Sequence, residues 1–95
     1  MNRVSYNEEI DQLRDEINRL NEEILEKIRE RVEVALSIGE VKKRHGMPVV
    51  NSAREEVVLN HVKVLAADRG LDPEAVRRVF REIIDLCVKA EEEHV

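Results

Sequence analysis

Ile10, Leu13, Ile17, Leu20, Ile24, Ile28, Ala35 and Ile38 follow one another at steps of three, four or seven residues. No proline falls between Tyr6 and Arg44. This is the apolar period of one amphipathic helix. It predicts a first helix from about Tyr6 to about Arg44, roughly 55–60 Å long at about 1.5 Å per residue. A compact globule of 95 residues would be only about 25–30 Å across. Much of this helix must therefore pack on something outside its own chain, and the simplest cover is a second copy laid beside it.

The remaining sequence continues the helical pattern. His45-Gly46-Met47-Pro48 stops the first helix, with Gly as terminator and Pro shortly after. Ser52-Ala53-Arg54-Glu55 reads as a capping box, with Ser52 as N-cap and Glu55 reaching back. The second helix is expected over about Ala53 to Arg69, with Val58, Val62 and Leu65 inward and Gly70 closing it. Asp72-Pro73-Glu74 opens a third helix, running to about Glu93. Its inner face is Val76, Val79, Phe80, Ile83, Ile84, Cys87 and Val88. With 3 Gly, 2 Pro and no aromatic residues beyond Tyr6 and Phe80, a β domain lacks its turn and packing residues. The expected class is all-α, one domain over residues 1–95. Its three helices span about 6–44, 53–69 and 73–93.

Composition narrows the function. Sixteen Lys and Arg stand against 21 Asp and Glu, a net charge of -5. Nucleic-acid binding needs a basic footprint and stacking aromatics, so no nucleic-acid partner is expected. No apolar run is long enough to span a bilayer and no signal peptide opens the chain, so no membrane partner is expected. Cys87 is the single cysteine and can form no internal disulfide, which fits a reducing cytoplasm. His45, His61 and His94 are scattered without metal-ligand spacing, so neither a metal nor a cofactor is expected.

The informative residues are charges lying on apolar stripes. Arg31 sits seven residues from both Ile24 and Ile38, and Lys42 lies four beyond Ile38. Arg31, Ala35, Ile38 and Lys42 thus share one line of the helix, where buried cations are costly unless an anion meets them. Glu91 extends the inner face of the third helix beyond Ile84, Cys87 and Val88. Arg14, beside Leu13, lies roughly 25 Å along the helix from Arg31. One small molecule cannot touch both in cis. An antiparallel partner brings Arg14 of one chain near Arg31 of the other and creates two equivalent composite sites. Gly39 in mid-helix costs about 1 kcal/mol relative to Ala and marks a close approach. Each residue also has a plain structural reading. An edge arginine can snorkel, Glu91 can be solvated at a fraying end, and Lys42-Lys43-Arg44 can complement the helix dipole. Gly39 can serve tight packing, and Cys87 can be a small core residue.

Leu13-Arg14 in an Ile-x-x-Leu-Arg-x-x-Ile frame, Glu30-Arg31, Gly39-x-x-Lys42, Pro48-Val49, Arg54-Glu55, Gly70-Leu71-Asp72 and Phe80-x-x-Ile83-Ile84 occur in this order. In that order and spacing the chain resembles the AroQ-class, all-helical chorismate mutases over nearly its whole length. The resemblance implies an intertwined antiparallel helical homodimer that converts chorismate, a small dianion, to prephenate without a cofactor. It implies that Arg14 enters from the partner to bind one carboxylate and that Arg31 binds the other. Lys42 and Glu91 would meet the ether oxygen. Glu55, with the backbone near Asn51, would hold the ring hydroxyl, and Arg54 would support this cluster. Ile38, Ile84, Cys87 and Val88 would wall the pocket. Three positions depart from common family choices: Asn51 stands for Asp, Cys87 for a small hydroxyl residue and Glu91 for Gln.

The implied reaction is pericyclic and needs no nucleophile, general base or metal. Arginine clamps would hold a chair-like conformer, and Lys42 would stabilise charge on the departing oxygen. Two alternatives stay open. One is an isochorismate-pyruvate lyase, similar in fold and at Arg14, Arg31 and Lys42 but less so at Arg54-Glu55. The other is a non-catalytic helical dimerisation module, although its a/d stripe would be broken at Arg31 and Lys42.

Overall fold

The computed structural model describes residues 5–94, which form α1 (Tyr6–Arg44), α2 (Ser52–Asp68) and α3 (Pro73–Glu93). The described residues contain no strand. They divide into two compact units, one up to Glu30 and one from Arg31 onward, so the boundary falls inside α1.

In the first unit the Ser5 hydroxyl caps α1 by accepting from the Glu8 N–H at 3.2 Å, and acids follow in the first turn. This pairs an orphan donor and complements the helix dipole. Leu13, Ile17, Leu20 and Ile24 are all exposed, and Ile10 and Ile28 are partly buried. The apolar stripe is thus a surface feature of this unit. Around it run one-turn ion pairs such as Arg19–Glu23 and Lys27–Glu30, each worth only a few tenths of a kcal/mol (about 0.3–0.5) on an exposed helix.

The second unit holds the core: Ala35 from α1, Leu59, Val62 and Ala66 from α2, and Ile84 and Cys87 from α3. Leu59 is fully enclosed. The inward line of α2 is therefore Leu59–Val62–Ala66, not the expected Val58–Val62–Leu65. Both lines have helical spacing, and only the neighbouring helices decide which one is covered. Leu65 ends at the surface, Val58 is half-buried, and Val79 on α3 is exposed.

The helix ends are set by local chemistry. Gly46 and Gly70 both adopt positive φ, at 65° and 70°, a conformation glycine reaches without a Cβ penalty. Each closes the same double-bonded C-terminal motif. Met47 N–H reaches Lys42 O at 2.8 Å and Gly46 N–H reaches Lys43 O at 3.2 Å, while Leu71 and Gly70 do the same to Ala66 and Ala67. Asp72 caps α3 through Oδ1, which accepts from the Glu74 and Ala75 N–H groups, with Pro73 in the first turn. The cap of α2 differs from the expected one. Asn51, not Ser52, is the N-cap, and its Oδ1 accepts from Arg54 N–H at 3.0 Å. Asn51 competes equally well for this role, and shifting the cap by one residue releases Glu55 from the capping box.

Candidate active site

The second unit carries an open cleft of about 370 Å³. Its walls come from three stretches of chain. α1 contributes Arg31, Ile38 and Lys42 on one line; the start of α2 contributes Asn51, Arg54 and Glu55; α3 contributes Ile84, Cys87, Val88 and Glu91. Residues far apart in sequence thus converge because α1, α2 and α3 present helical faces of the right phase. Among the residues singled out from sequence, only Arg14 lies in the other unit. There its side chain is 73% exposed and stands 4.0 Å from Asp11. The sequence reading missed Val34, Val49 and Val58, which also line the cleft. Of these Val58 was legible, since it follows Glu55 by three residues, about one helical turn, and so shares its face.

Each polar group has a specific seat. Lys42 donates from Nζ to the Val49 carbonyl at 2.6 Å, and its own carbonyl receives the Met47 N–H. The ammonium is thereby tethered across the α1–α2 loop, with further donors left for the cleft. Arg31 donates from Nη1 to Cys87 Sγ at 3.0 Å. Sulfur is a weak acceptor, so this contact orients the guanidinium without neutralising it. Glu55 accepts from Arg81 at 2.8 Å, and its side chain is only 17% exposed.

Glu91 reaches the cleft beside Gly39. A Cβ at Gly39 would lie 3.4 Å from Glu91 Cγ and 3.5 Å from Oε2. The close approach expected at Gly39 is therefore made by a carboxylic acid side chain rather than by a backbone. Oε2 of Glu91 is buried and has no hydrogen-bond partner among the described residues. Burial raises the pKa of this carboxyl, the charges of Lys42 and Arg31 pull it down, and Glu92 adds a smaller push upward; the net direction is up.

The charge pattern suits an anion. Arg31, Lys42 and Arg54 outnumber Glu55 and Glu91, and the rest of the lining is largely aliphatic. A second, wider cleft of about 620 Å³ shares Val49 and Glu91 but sets Glu40, Glu91 and Glu92 against Lys43 and His94. Its acidic excess fits a dianion poorly. Among the described residues no three His, Cys, Asp or Glu gather as metal ligands, and no helix is long and apolar enough to cross a membrane.

Comparison with known proteins gives a consistent assignment. The chain is 37% identical over 89 residues to the bifunctional chorismate mutase/prephenate dehydratase of Aquifex aeolicus; the match covers 88% of this chain but 24% of that protein. It is 31% identical over 80 residues to a 4-amino-4-deoxychorismate mutase of Streptomyces venezuelae, covering 83% and 78% of the two chains. It is 24% identical over 78 residues to the chorismate mutase of Methanocaldococcus jannaschii, covering 82% and 79%. The family described as chorismate mutase type II matches residues 13–92. With that match spanning most of its length, the chain belongs to the chorismate mutase type II family, an all-α family of isomerases.

Proposed function

We propose that this chain rearranges chorismate to prephenate in the cleft of the second unit. The observation that carries the reading is the convergence of Arg31, Lys42 and Arg54 with Glu55 and Glu91 on one aliphatic-walled cleft. Chorismate is a dianion whose ether bond breaks as a new carbon–carbon bond forms within the same molecule. The reaction needs a compact conformer and a donor for the oxygen that gains charge. Arg31 clamps one carboxylate, and Arg14 of a second copy clamps the other. Lys42 faces the ether oxygen as a fixed cation, in surroundings that the second copy closes to water. Glu91, when protonated, donates to the same oxygen. Glu55 accepts from the ring hydroxyl, with Asn51 and Arg54 beside it, and Ile38, Ile84, Cys87 and Val88 hold the ring.

The shared site requires a homodimer in which the exposed stripe of the first unit is covered by its counterpart. The enzyme works in the cytoplasm, without a cofactor. Two Streptomyces relatives, at 31% and 30% identity, are named 4-amino-4-deoxychorismate mutases. An amino-substituted chorismate is therefore the second substrate to test.

The deciding experiment follows chorismate loss and prephenate formation by the purified protein, with isochorismate assayed in parallel. The Lys42→Ala variant should lose about 10²–10³ in kcat, the usual effect of removing one preorganised donor. Salicylate and pyruvate from isochorismate without prephenate from chorismate would move the assignment to a lyase. A folded dimer that turns over neither substrate would leave only a dimerisation module.

A further inference from the structure

Glu55 is the one acid on the α2 wall of the cleft, and α3 determines how it is held. Arg81 extends Nη2 to Glu55 Oε1 at 2.8 Å, and the same Nη2 lies 2.8 Å from Asp85 Oδ1. Arg81 Nε adds a second bond to Asp85 at 3.2 Å. Arg81 is thus bridged between two carboxylates, and its own pKa is raised by the hydrogen bond to Glu55 first and that to Asp85 second. The cleft lining includes Glu55 but not Arg81. The guanidinium therefore reaches the site only through Glu55, and it engages Oε1, which leaves Oε2 as the carboxylate's remaining acceptor.

The charge of the group facing Oε2 then matters. A ring hydroxyl is a neutral donor. An alkyl amine at the same ring position is cationic near neutral pH. A carboxylate already bound to a permanently charged guanidinium has less to offer a second cation. It remains a good, fixed acceptor for a hydroxyl. We propose that Arg81 is a positioning and specificity-determining residue: by holding Oε1 of Glu55 it orders the carboxylate for a neutral ring hydroxyl and disfavours a cationic ring amine. This rests on the functional reading above.

The test compares chorismate with 4-amino-4-deoxychorismate on the full chain and on Arg81→Gln and Arg81→Lys, with circular dichroism and melting curves on each. Where turnover of the amine is below detection, its Ki as a competitor of chorismate replaces kcat/KM. For Arg81→Gln, KM for chorismate should rise about tenfold with kcat little changed, the lower end of the loss expected from releasing one charge-assisted link. The amine should bind as well as before or better. The preference between the two should therefore move about tenfold toward the amine. Arg81→Lys keeps the charge and should hold the preference near that of the unaltered chain. Equal losses on both substrates in Arg81→Gln, or an unchanged preference, would overturn the role of Arg81 while leaving the mutase reading intact. An unaltered chain that converts neither compound would overturn that reading, and the proposal with it.

Discussion

Ile24 and Ala35 lie on the same helix, eleven residues and about three turns apart, yet Ile24 is exposed and Ala35 is buried. The two units differ in whether they bury a core of their own. Up to Glu30 the apolar stripe is regular and faces outward. From Arg31 onward Ala35 of the same stripe is buried, Ile38 stays exposed on the wall of a cleft, and the charges that interrupt the stripe line that cleft. A helical apolar period thus specifies a helix and the face to be buried. It does not specify what buries it. The second unit supplies its own cover from α2 and α3, and the first is proposed to receive it from another chain.

The sharpest way to break this contrast is to place one lesion in each unit. Arg14→Ala and Arg31→Ala proteins should each be essentially inactive. Mixed after unfolding and refolding, they should recover about a quarter of full activity, because half the dimers are mixed and each mixed dimer keeps one of two sites. Absence of recovery would mean that Arg14 and Arg31 do not meet across chains.

A smaller effect separates the two kinds of burial. Leu59→Ala removes a fully enclosed side chain and should lower stability by about 2–5 kcal/mol, read from denaturant unfolding. Leu20→Ala sits on the exposed stripe. Its effect should depend on protein concentration, because it acts through association. Equal, concentration-independent losses from both changes would show that the stripe is covered within one chain.

The smallest effect sharpens the account of the cleft. The raised pKa of Glu91 means that its protonated form, proposed above as a donor, persists to higher pH than that of an ordinary glutamic acid. Turnover should be highest below the folded-state pKa and fall as pH rises through it. The sign is the same for stability, since a carboxyl whose pKa is higher in the folded than in the unfolded state loses its contribution as pH rises. Glu91→Gln should flatten both profiles, in kcat and in melting temperature. Superimposable profiles for the two proteins would remove Glu91 from the reaction.

Much of this was legible in the chain. The termini of the helices follow from Gly46, Gly70, Asp72 and Pro73, whose backbone preferences act within a turn or two. Arg31 and Lys42 announced themselves by falling on an apolar line. Three features were not legible, each for a tertiary reason. Asn51 and Ser52 are both good caps, and the choice of Asn51 leaves Glu55 for Arg81. Val58 and Leu59 are both apolar, and the phase at which α2 meets its neighbours encloses Leu59. Arg81 looked like an ordinary surface arginine, because nothing local says that it reaches 26 residues back to Glu55.

The sequence by itself determined three helices, their ends apart from the start of α2, and the family, because capping, glycine backbone freedom and a 3.6-residue period are local effects that each helix resolves alone. Only the tertiary structure decided which side of α2 is buried, that Gly39 makes room for Glu91, and that Glu55 is held by Arg81. These depend on the relative phase of helices that touch, and a period read along one helix carries no information about the phase of its neighbour.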